Sequence, residues 1–288
     1  MCSLFCFLRI NVWFILFLYS NIIDIQMALK VYIPYTSSLR HVCIVDRSKV
    51  WKGSSIKQLT VKKYNSYRRY NFFRTSVTGV KRLYRIIDLY RDDHFGVPGV
   101  VYRIEYDPNR SSYIALLLYK NNICTYVLCP SSIGIGDIFT NYLSVPMFFH
   151  IGDCFTLHKI PVGSIIHNLE LECGYGGKYI RAAGSYGIVF KKLNFLKTCI
   201  IQLRLGLRKV VSLDCRATLG VVSNKDKWVT FFGKAGRRKW IGKRPIVRGV
   251  AMNPIDHPHG GGEGKKSKKA DPRNIWGKVF KWRRTVFV

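Results

Sequence analysis

Residues 100–129 read VVYRIEYDPN RSSYIALLLY KNNICTYVLC, three apolar runs separated by two turn-forming groups. Asp107-Pro108-Asn109-Arg110 favours a turn after the first run. In Lys120-Asn121-Asn122, an asparagine tolerates the positive φ of a tight hairpin. Short apolar runs bounded by such turns are typical of strands. The stretch therefore predicts a three-stranded meander made of Val100–Asp107, Ser112–Tyr119 and Ile123–Cys129.

The sequence on either side of this meander continues the β pattern, and almost no helical periodicity follows residue 26. With Tyr84–Leu89 as a further strand, the meander matches a five-stranded OB-type barrel, although other small antiparallel barrels fit equally well. A second series of short runs, mostly separated by Gly or Pro, predicts a second small barrel. Its strands are expected at Phe155–Ile160, Ser164–Leu171, Tyr179–Ala182, Gly187–Phe190, Cys199–Leu203, Lys209–Leu213 and Thr218–Val222. The fold class is all-β.

The charge of the chain points to a polyanionic partner. Its 288 residues include 47 Lys plus Arg and 16 Asp plus Glu, a formal net charge of +31. Hydrophobic residues make up 48% of the chain, enough to build one or two cores, which excludes a wholly disordered basic tail. A nucleic acid is the first candidate partner and an anionic membrane surface the second.

The excess charge is concentrated near the C-terminus, where residues 204–288 carry 22 basic and 5 acidic residues. Beyond about Ser223 the strand pattern gives way to Gly, Lys, Arg and Pro. We interpret this tail as irregular and ordered by its partner.

The nine cysteines are scattered, and none forms a pair with the two-residue spacer of a zinc or redox motif. We expect buried thiols in a reducing compartment and no disulfide framework. At the N-terminus, Leu4–Tyr19 is apolar but short for a membrane span and interrupted by Arg9 and Asn11. This segment is predicted to be a short anchor, a targeting segment or an extension packed on a neighbour, of which we favour the extension. A further alternative is that translation starts at Met27.

Gly233–Trp240 (GKAGRRKW) combines four cations with a terminal aromatic. We expect a Gly-containing loop in which Arg forks bind phosphate and Trp240 stacks on an unpaired base. The alternative is a solvated basic loop. The cations are Lys234, Arg237, Arg238 and Lys239.

Farther along, Val250–Gly264 (VAMNPIDHPHGGGEG) contains Asp256, His257, His259 and Glu263, which raises the hypothesis of a metal or acid–base site. Pro258 holds the two histidines in an extended segment, and three consecutive glycines supply no rigid frame for ligands. We therefore favour a Gly-rich loop threaded through packed RNA, where larger side chains would clash. No nucleophile elbow, P-loop or paired carboxylates are found, so an enzyme is not expected.

Six blocks of the chain resemble, in the same order, the universal large-subunit ribosomal protein L-two family. The most distinctive is Val247–Gly264, VRGVAMNPIDHPHGGGEG, preceded by Gly233–Pro245. The start of the similar region, Met27–His41, looks like organellar members of the family. The other similar blocks are Lys81–Leu89, Ile160–Glu170, Gly174–Gly184 and Asp214–Asn224.

The resemblance implies an OB-fold domain followed by an SH3-like barrel, with basic extensions that enter large-subunit rRNA. It also implies rRNA binding, support of subunit association and an architectural role at the peptidyl transferase centre, which His257 approaches most closely. Matching positions make the expected rRNA-binding residues Lys81, Arg82, Arg85, His167, Arg181, Arg216, Lys234, Arg237, Arg238, Lys239, Trp240, Lys243, Arg244, Arg248, Met252, Asn253, His257 and His259.

On this interpretation the chain has five parts. They are a hydrophobic extension of unknown role (1–26), a basic N-terminal extension (27–82), the OB-fold domain (83–148), the SH3-like domain (149–224) and a basic C-terminal extension (225–288). Partners are large-subunit rRNA, neighbouring ribosomal proteins and the small subunit across a bridge. No cofactor beyond Mg²⁺ held by the rRNA, no small-molecule substrate and no homo-oligomer are expected.

The chain departs from the family in Tyr64–Val80, where the usual glycines and histidines are mostly replaced. This divergence, with abundant Phe, Tyr, Ile and Cys, indicates drift in an organelle; we expect a mitochondrial matrix ribosome, with a plastid as the alternative. The alternative function is an RNA-processing or RNA-modifying accessory protein built on the same two barrels.

Overall fold

The computed structural model describes residues 29–62, 82–142, 148–241, 245–263 and 271–279. The chain divides into two compact units, residues 1–63 with 82–233, and residues 64–81 with 234–288. The first unit contains every strand in these described ranges. In chain order they are β1 Leu29–Val31, β2 Val42–Val45, β3 Thr60–Lys62, β4 Leu83–Arg85, β5 Gly99–Tyr106, β6 Tyr113–Tyr119, β7 Cys124–Leu128, β8 Ile138–Phe139, β9 Cys154–Thr156, β10 Ile165–His167, β11 Gly187–Leu193, β12 Thr198–Leu203, β13 Arg208–Ser212, β14 Arg216–Leu219 and β15 Phe231–Phe232.

The predicted meander is confirmed. Strands β5, β6 and β7 are consecutive antiparallel neighbours in a four-stranded sheet of order β7-β6-β5-β8. Strand β6 is buried on both faces. Tyr113, Ala115 and Leu117 pack into the barrel core, whereas Ile114 and Leu116 pack into a second cluster with Ile87 and Tyr126. Burial on both sides explains why this strand is a continuous apolar run rather than an alternating one.

Both predicted turns are present. Asn122 adopts a φ of 57°, the left-handed conformation that asparagine tolerates, and closes the β6–β7 hairpin. In the β5–β6 turn, the Asp107 carboxylate accepts the backbone N–H of Asn109 at 2.9 Å and pairs with the Arg110 guanidinium at 2.7 Å. Local turn chemistry therefore sets the register of the meander.

The second barrel is a six-stranded antiparallel sheet of order β13-β12-β11-β10-β14-β9. Its core contains Phe155, Leu157, Ile166, Val189 and Ile201, each almost completely inaccessible to solvent. Burying each such side chain contributes about 1.5–3 kcal/mol. The two sheets give the all-β architecture of an OB-type barrel followed by an SH3-like barrel.

Four of the predicted strands in this barrel differ clearly from the structure. Phe155–Ile160 shortens to β9, and Thr218–Val222 shifts to β14. Tyr179–Ala182 was expected to be a strand, but Tyr179 forms only an isolated bridge with Leu169, and Ile180 has a φ of 56°. The strand predicted at Ser164–Leu171 shortens to β10 because Asn168 has a φ of 49°. A left-handed residue turns the chain out of the extended conformation, and the apolar pattern does not reveal it.

The remaining strands form two small sheets, β3-β4 and β1-β2-β15. The prediction of an irregular tail after Ser223 is wrong for residues 225–240. A 3₁₀ turn spans Lys225–Val229, β15 pairs with β2, and a short helix, α1, spans Ala235–Trp240. A two-residue strand is too short to show a hydrophobic period, and only its pairing with a distant strand defines it.

In the part of the chain that the structure describes, no helix combines the length and apolar character needed to cross a membrane. The apolar segment Leu4–Tyr19 and the divergent segment Tyr64–Val80 lie outside the described residues. The seven described cysteines are all free thiols.

Candidate nucleic-acid interface

The basic motif Gly233–Trp240 was expected to be a loop, and it is instead built around helix α1. Ala, Arg and Lys are good helix formers, and the cations Arg237, Arg238 and Lys239 occupy its last turn, where positive charge complements the helix dipole. The helix has no acidic residue in its first turn and no buried residue.

Helix α1 presents a cationic and aromatic surface to solvent. The side chains of Lys234, Arg238 and Lys239 are exposed, and Lys234 Nζ lies 5.0 Å from the centroid of the exposed Trp240 ring. Guanidinium and ammonium groups bind phosphate oxygens, and an exposed indole face stacks on an unpaired base. The arrangement can therefore bind the backbone and a base of RNA together.

The Gly-rich segment 248–261 folds back on itself. Backbone N–H groups of Ala251 and Asp256 donate to the carbonyls of Arg248 and Asn253 at 2.9 and 3.0 Å. The N–H of Gly261 returns to the carbonyl of Met252 at 3.1 Å. These bonds close two successive turns, so the loop has a defined shape within the chain itself.

Glycine is required in this loop by its own packing. A Cβ on Gly249 would overlap the imidazole of His257, and one on Gly260 would overlap the carbonyl of Asn253. The structure therefore supplies a reason for Gly249 and Gly260 within the protein itself, and the threading of this loop through packed RNA stays a prediction.

His257 is held in one orientation. Its side chain is 9% exposed, and its Nδ1 accepts the backbone N–H of His259 at 3.0 Å. A neutral ring in this position carries its proton on Nε2. The two imidazoles pack edge to face with centroids 5.0 Å apart. Within the described ranges, no group of three or more His, Cys, Asp or Glu side chains is placed to hold a metal ion.

Four other expected residues belong to this loop, and one lies in α1. Arg248 and Asn253 are exposed, whereas Met252 and His259 are half-buried. Arg237 in α1 is also half-buried. Lys81, Lys243 and Arg244 lie outside the described residues.

Arg216, in the first unit, is used within the protein. Its Nη1 forms an ion pair with Asp92 and donates to the carbonyl of Arg91 at 3.0 Å. Its guanidinium also lies 4.6 Å from the centroid of the Phe95 ring. Both polar contacts are made by Nη1, and together with the ring contact they join β14 to the segment that precedes β5.

His167 is completely buried in β10. Its Nδ1–H donates to the carbonyl of Gly220 at 3.0 Å, and burial lowers the pKa of the imidazole to about 4, with nearby Arg91 acting in the same direction. The ring is therefore neutral at pH 7 and stabilises the barrel from inside. No hydrogen-bond partner for Nε2 is found among the described residues.

The remaining expected residues of the first unit differ in exposure. Arg82 is exposed and its Nη1 lies 3.5 Å from the carbonyl of Pro108. Arg85 is half-buried and donates to the carbonyl of Leu83 at 3.0 Å, and Arg181 is half-buried.

Sequence reasoning missed two basic–aromatic pairs on the first barrel. The guanidinium of Arg47 lies 4.1 Å from the Tyr106 ring centroid, and that of Arg103 lies 4.9 Å from the Trp51 ring. The exposed Arg47 pair can interact with both bases and phosphates, whereas Arg103 also forms an ion pair with Glu105 at 2.6 Å within the protein. The partners are 59 and 52 residues apart in the chain, so no local motif identifies them.

The fold and these surfaces define a class, the RNA-binding proteins built from two small β-barrels and a basic arm. Comparison with known families is more specific. The model "Ribosomal Proteins L2, RNA binding N-terminal domain" matches residues 57–140, and "Ribosomal Proteins L2, C-terminal domain" matches residues 150–277.

Individual relatives give the same result. The chain is 44% identical over 263 residues to "Large ribosomal subunit protein uL2" of Orientia tsutsugamushi, covering 90% of this chain and 94% of the relative. It is 43% identical over 266 residues to the protein of that name from Bradyrhizobium sp. strain BTAi1, covering 90% and 93%. The protein of that name from Rickettsia akari is 44% identical over 264 residues, covering 90% and 94%. The chain therefore belongs to the ribosomal protein L2 family.

Proposed function

We propose that the chain is a structural constituent of the large ribosomal subunit and binds large-subunit rRNA. The observation that carries this function is the loop 248–261, which lies within the matched L2 C-terminal domain and has a shape set by its own hydrogen bonds. The exposed cations of α1 precede it in the same unit. The family is a structural component of the ribosome rather than an enzyme, so the chain has no catalytic residue.

Within the subunit, we propose that the loop supports the architecture of the peptidyl transferase centre and that His257 makes the closest approach. The ring orientation set by His259 and the close packing on Gly249 suit a positioning role. The chain also supports association with the small subunit across a bridge and contacts neighbouring ribosomal proteins. It needs no cofactor of its own beyond Mg²⁺ held by the rRNA, and it binds no small-molecule substrate.

We further propose that this ribosome is the mitochondrial one in the matrix, with the plastid ribosome as the alternative. The support is compositional, because aromatic, Ile and Cys residues are abundant outside the family motifs.

The test is sedimentation of organelle lysates. The chain should migrate with large subunits at moderate salt and dissociate only at high salt, since phosphate neutralisation supplies most of its affinity. Recovery mainly in a free pool would contradict the proposal. The organelle whose large subunits carry the chain decides between mitochondrion and plastid.

The alternative, an RNA-processing or RNA-modifying accessory protein, makes a different prediction. It requires turnover of free RNA by the purified chain and loss of that turnover in His257→Ala or Glu263→Ala. The ribosomal function requires defects in assembly or translation from His257→Ala and no turnover of free RNA.

A further inference from the structure

The outer face of strands β11–β13 in the second barrel mixes polar and apolar side chains, and several of the apolar ones are exposed. Val210 of β13 is 47% exposed and pairs with Ile200 of β12, which in turn pairs with Lys191 of β11. The turns at the two ends of β12 expose Phe195 at 99% and Leu205 at 87%. Exposed apolar side chains on this face and in both turns that flank β12 indicate a contact surface.

Strand β13 is also an open edge. It is the last strand in the order β13-β12-β11-β10-β14-β9, and across the described ranges no other strand pairs with its outer side. Edge strands expose a row of unpaired backbone N–H and C=O groups that accept an additional strand. The exposed Arg208, at the start of β13, supplies positive charge of the kind that protects such edges from self-association.

The charged residues of this surface are all basic. Residues 187–212 contain six Lys and Arg residues and no Asp or Glu. The guanidinium of Arg208 lies 4.0 Å from the centroid of the Phe190 ring, so this cation covers the one aromatic face in the middle of the sheet. The surface thus combines aliphatic side chains, a free strand edge and uncompensated positive charge.

We propose that an extended, acidic and apolar segment of a neighbouring protein binds here and adds as a strand to β13. Phe195 offers one free aromatic face to a base, but RNA has no alternating N–H and C=O groups that could pair along the open edge of β13, and phosphates make no apolar contact with Leu205 or Val210. A peptide strand pairs with the edge, its apolar side chains cover Leu205 and Val210, and its carboxylates pair with the cations. The inference rests on the proposed place of the chain in a ribosome.

The experiment places a photoreactive phenylalanine analogue at Val210 or Leu205 of the full chain in assembled large subunits, with Val162 as the control position. Val162 is exposed in the same barrel but lies outside the β11–β13 sheet. Both probes should crosslink one protein, and sequencing the crosslinked peptide should show an apolar segment with acidic residues. Crosslinks to rRNA, no crosslinks, or the same peptide from the Val162 position would overturn the proposal.

A second measurement tests strand addition directly. Backbone amides of β13 should exchange about tenfold or more slowly in the assembled subunit than in the free chain. Val210→Glu should abolish the Leu205 crosslink by repulsion, whereas Val210→Thr should keep it. Unchanged β13 exchange would overturn the proposal. Both variants should still sediment with large subunits, and failure of the unmodified chain to do so would instead contradict the proposed function.

Discussion

Arg91 donates from its Nε to the side-chain oxygen of Asn141 at 2.7 Å, across 50 residues of sequence. Its Nη2 donates to the carbonyl of Gly152 at 3.2 Å, and only 2% of Arg91 is exposed. The Asn141 amide in turn donates to the carbonyl of Asp93 at 2.8 Å. A buried guanidinium therefore joins the segment before the first barrel sheet to the segment that opens the second barrel.

Replacing this arginine should destabilise the first unit. Arg91→Met keeps much of the volume but leaves two buried acceptors unpaired, at about 1–3 kcal/mol each. The expected loss is about 2–5 kcal/mol in the free energy of unfolding, measured by urea denaturation. As the control, the exposed Arg204→Met should change the free energy of unfolding by less than about 0.5 kcal/mol. Equal effects of the two variants would show that the buried hydrogen bonds of Arg91 add no stability.

His167 should make the stability depend on pH. The imidazole has a pKa of about 4 in the fold and an ordinary value of 6.5 when unfolded, so the unfolded chain binds the proton first as the pH falls. The contribution of His167 to the free energy of unfolding is complete above pH 6.5. About 3 kcal/mol of it is lost as the pH falls toward 4.

The measurement is the free energy of unfolding across this range for the wild type and for His167→Asn, which retains an amide donor toward Gly220. The variant should lose most of the slope, whereas His158→Asn, at an exposed position, should keep it. Burial also raises the pKa of Asp153, which acts with the opposite sign. That contribution is common to all three proteins and cancels in the comparison. An unchanged slope in His167→Asn would contradict the assignment.

Gly249→Ala should impair translation more than folding. The added methyl would overlap the His257 ring and displace it from the orientation set by His259. We expect reduced peptide-bond formation by subunits carrying the variant, assayed with a minimal acceptor. Gly236→Ala is the matched control in α1, where a Cβ meets no atom within 4 Å and the helix gains about 0.5–1 kcal/mol. Similar activity of the two variants would remove the role given to Gly249.

The salt dependence of RNA binding should separate free cations from internally paired ones. Arg238→Gln and Lys239→Gln should each lower the slope of log affinity against log salt by about 0.7–0.9, one phosphate contact, on large-subunit rRNA fragments. Arg216→Gln should leave the slope unchanged and lower the unfolding free energy, because its partners are Asp92 and the Arg91 carbonyl. A reduced slope in Arg216→Gln alone would reverse these assignments.

Much of the architecture follows from local sequence. The run Tyr113–Tyr119 between two turn-forming groups determines a strand buried on both faces, and Asn122 determines the hairpin that follows it. The net charge of +31 determines the class of partner. The strand and the hairpin depend on neighbouring residues, and the class of partner depends on the net charge. Both kinds of information can be read directly from the sequence.

Tertiary structure alone decided which polar side chains remain available. Arg216 and Arg238 are the same residue type in the sequence. In the structure Arg216 pairs with Asp92, whereas Arg238 is exposed on a helix. Likewise, Gly249 is required because folding brings the His257 ring against it. Hydrogen bonds and steric overlaps join residues distant in the chain, so they exist only once the backbone has brought those residues together.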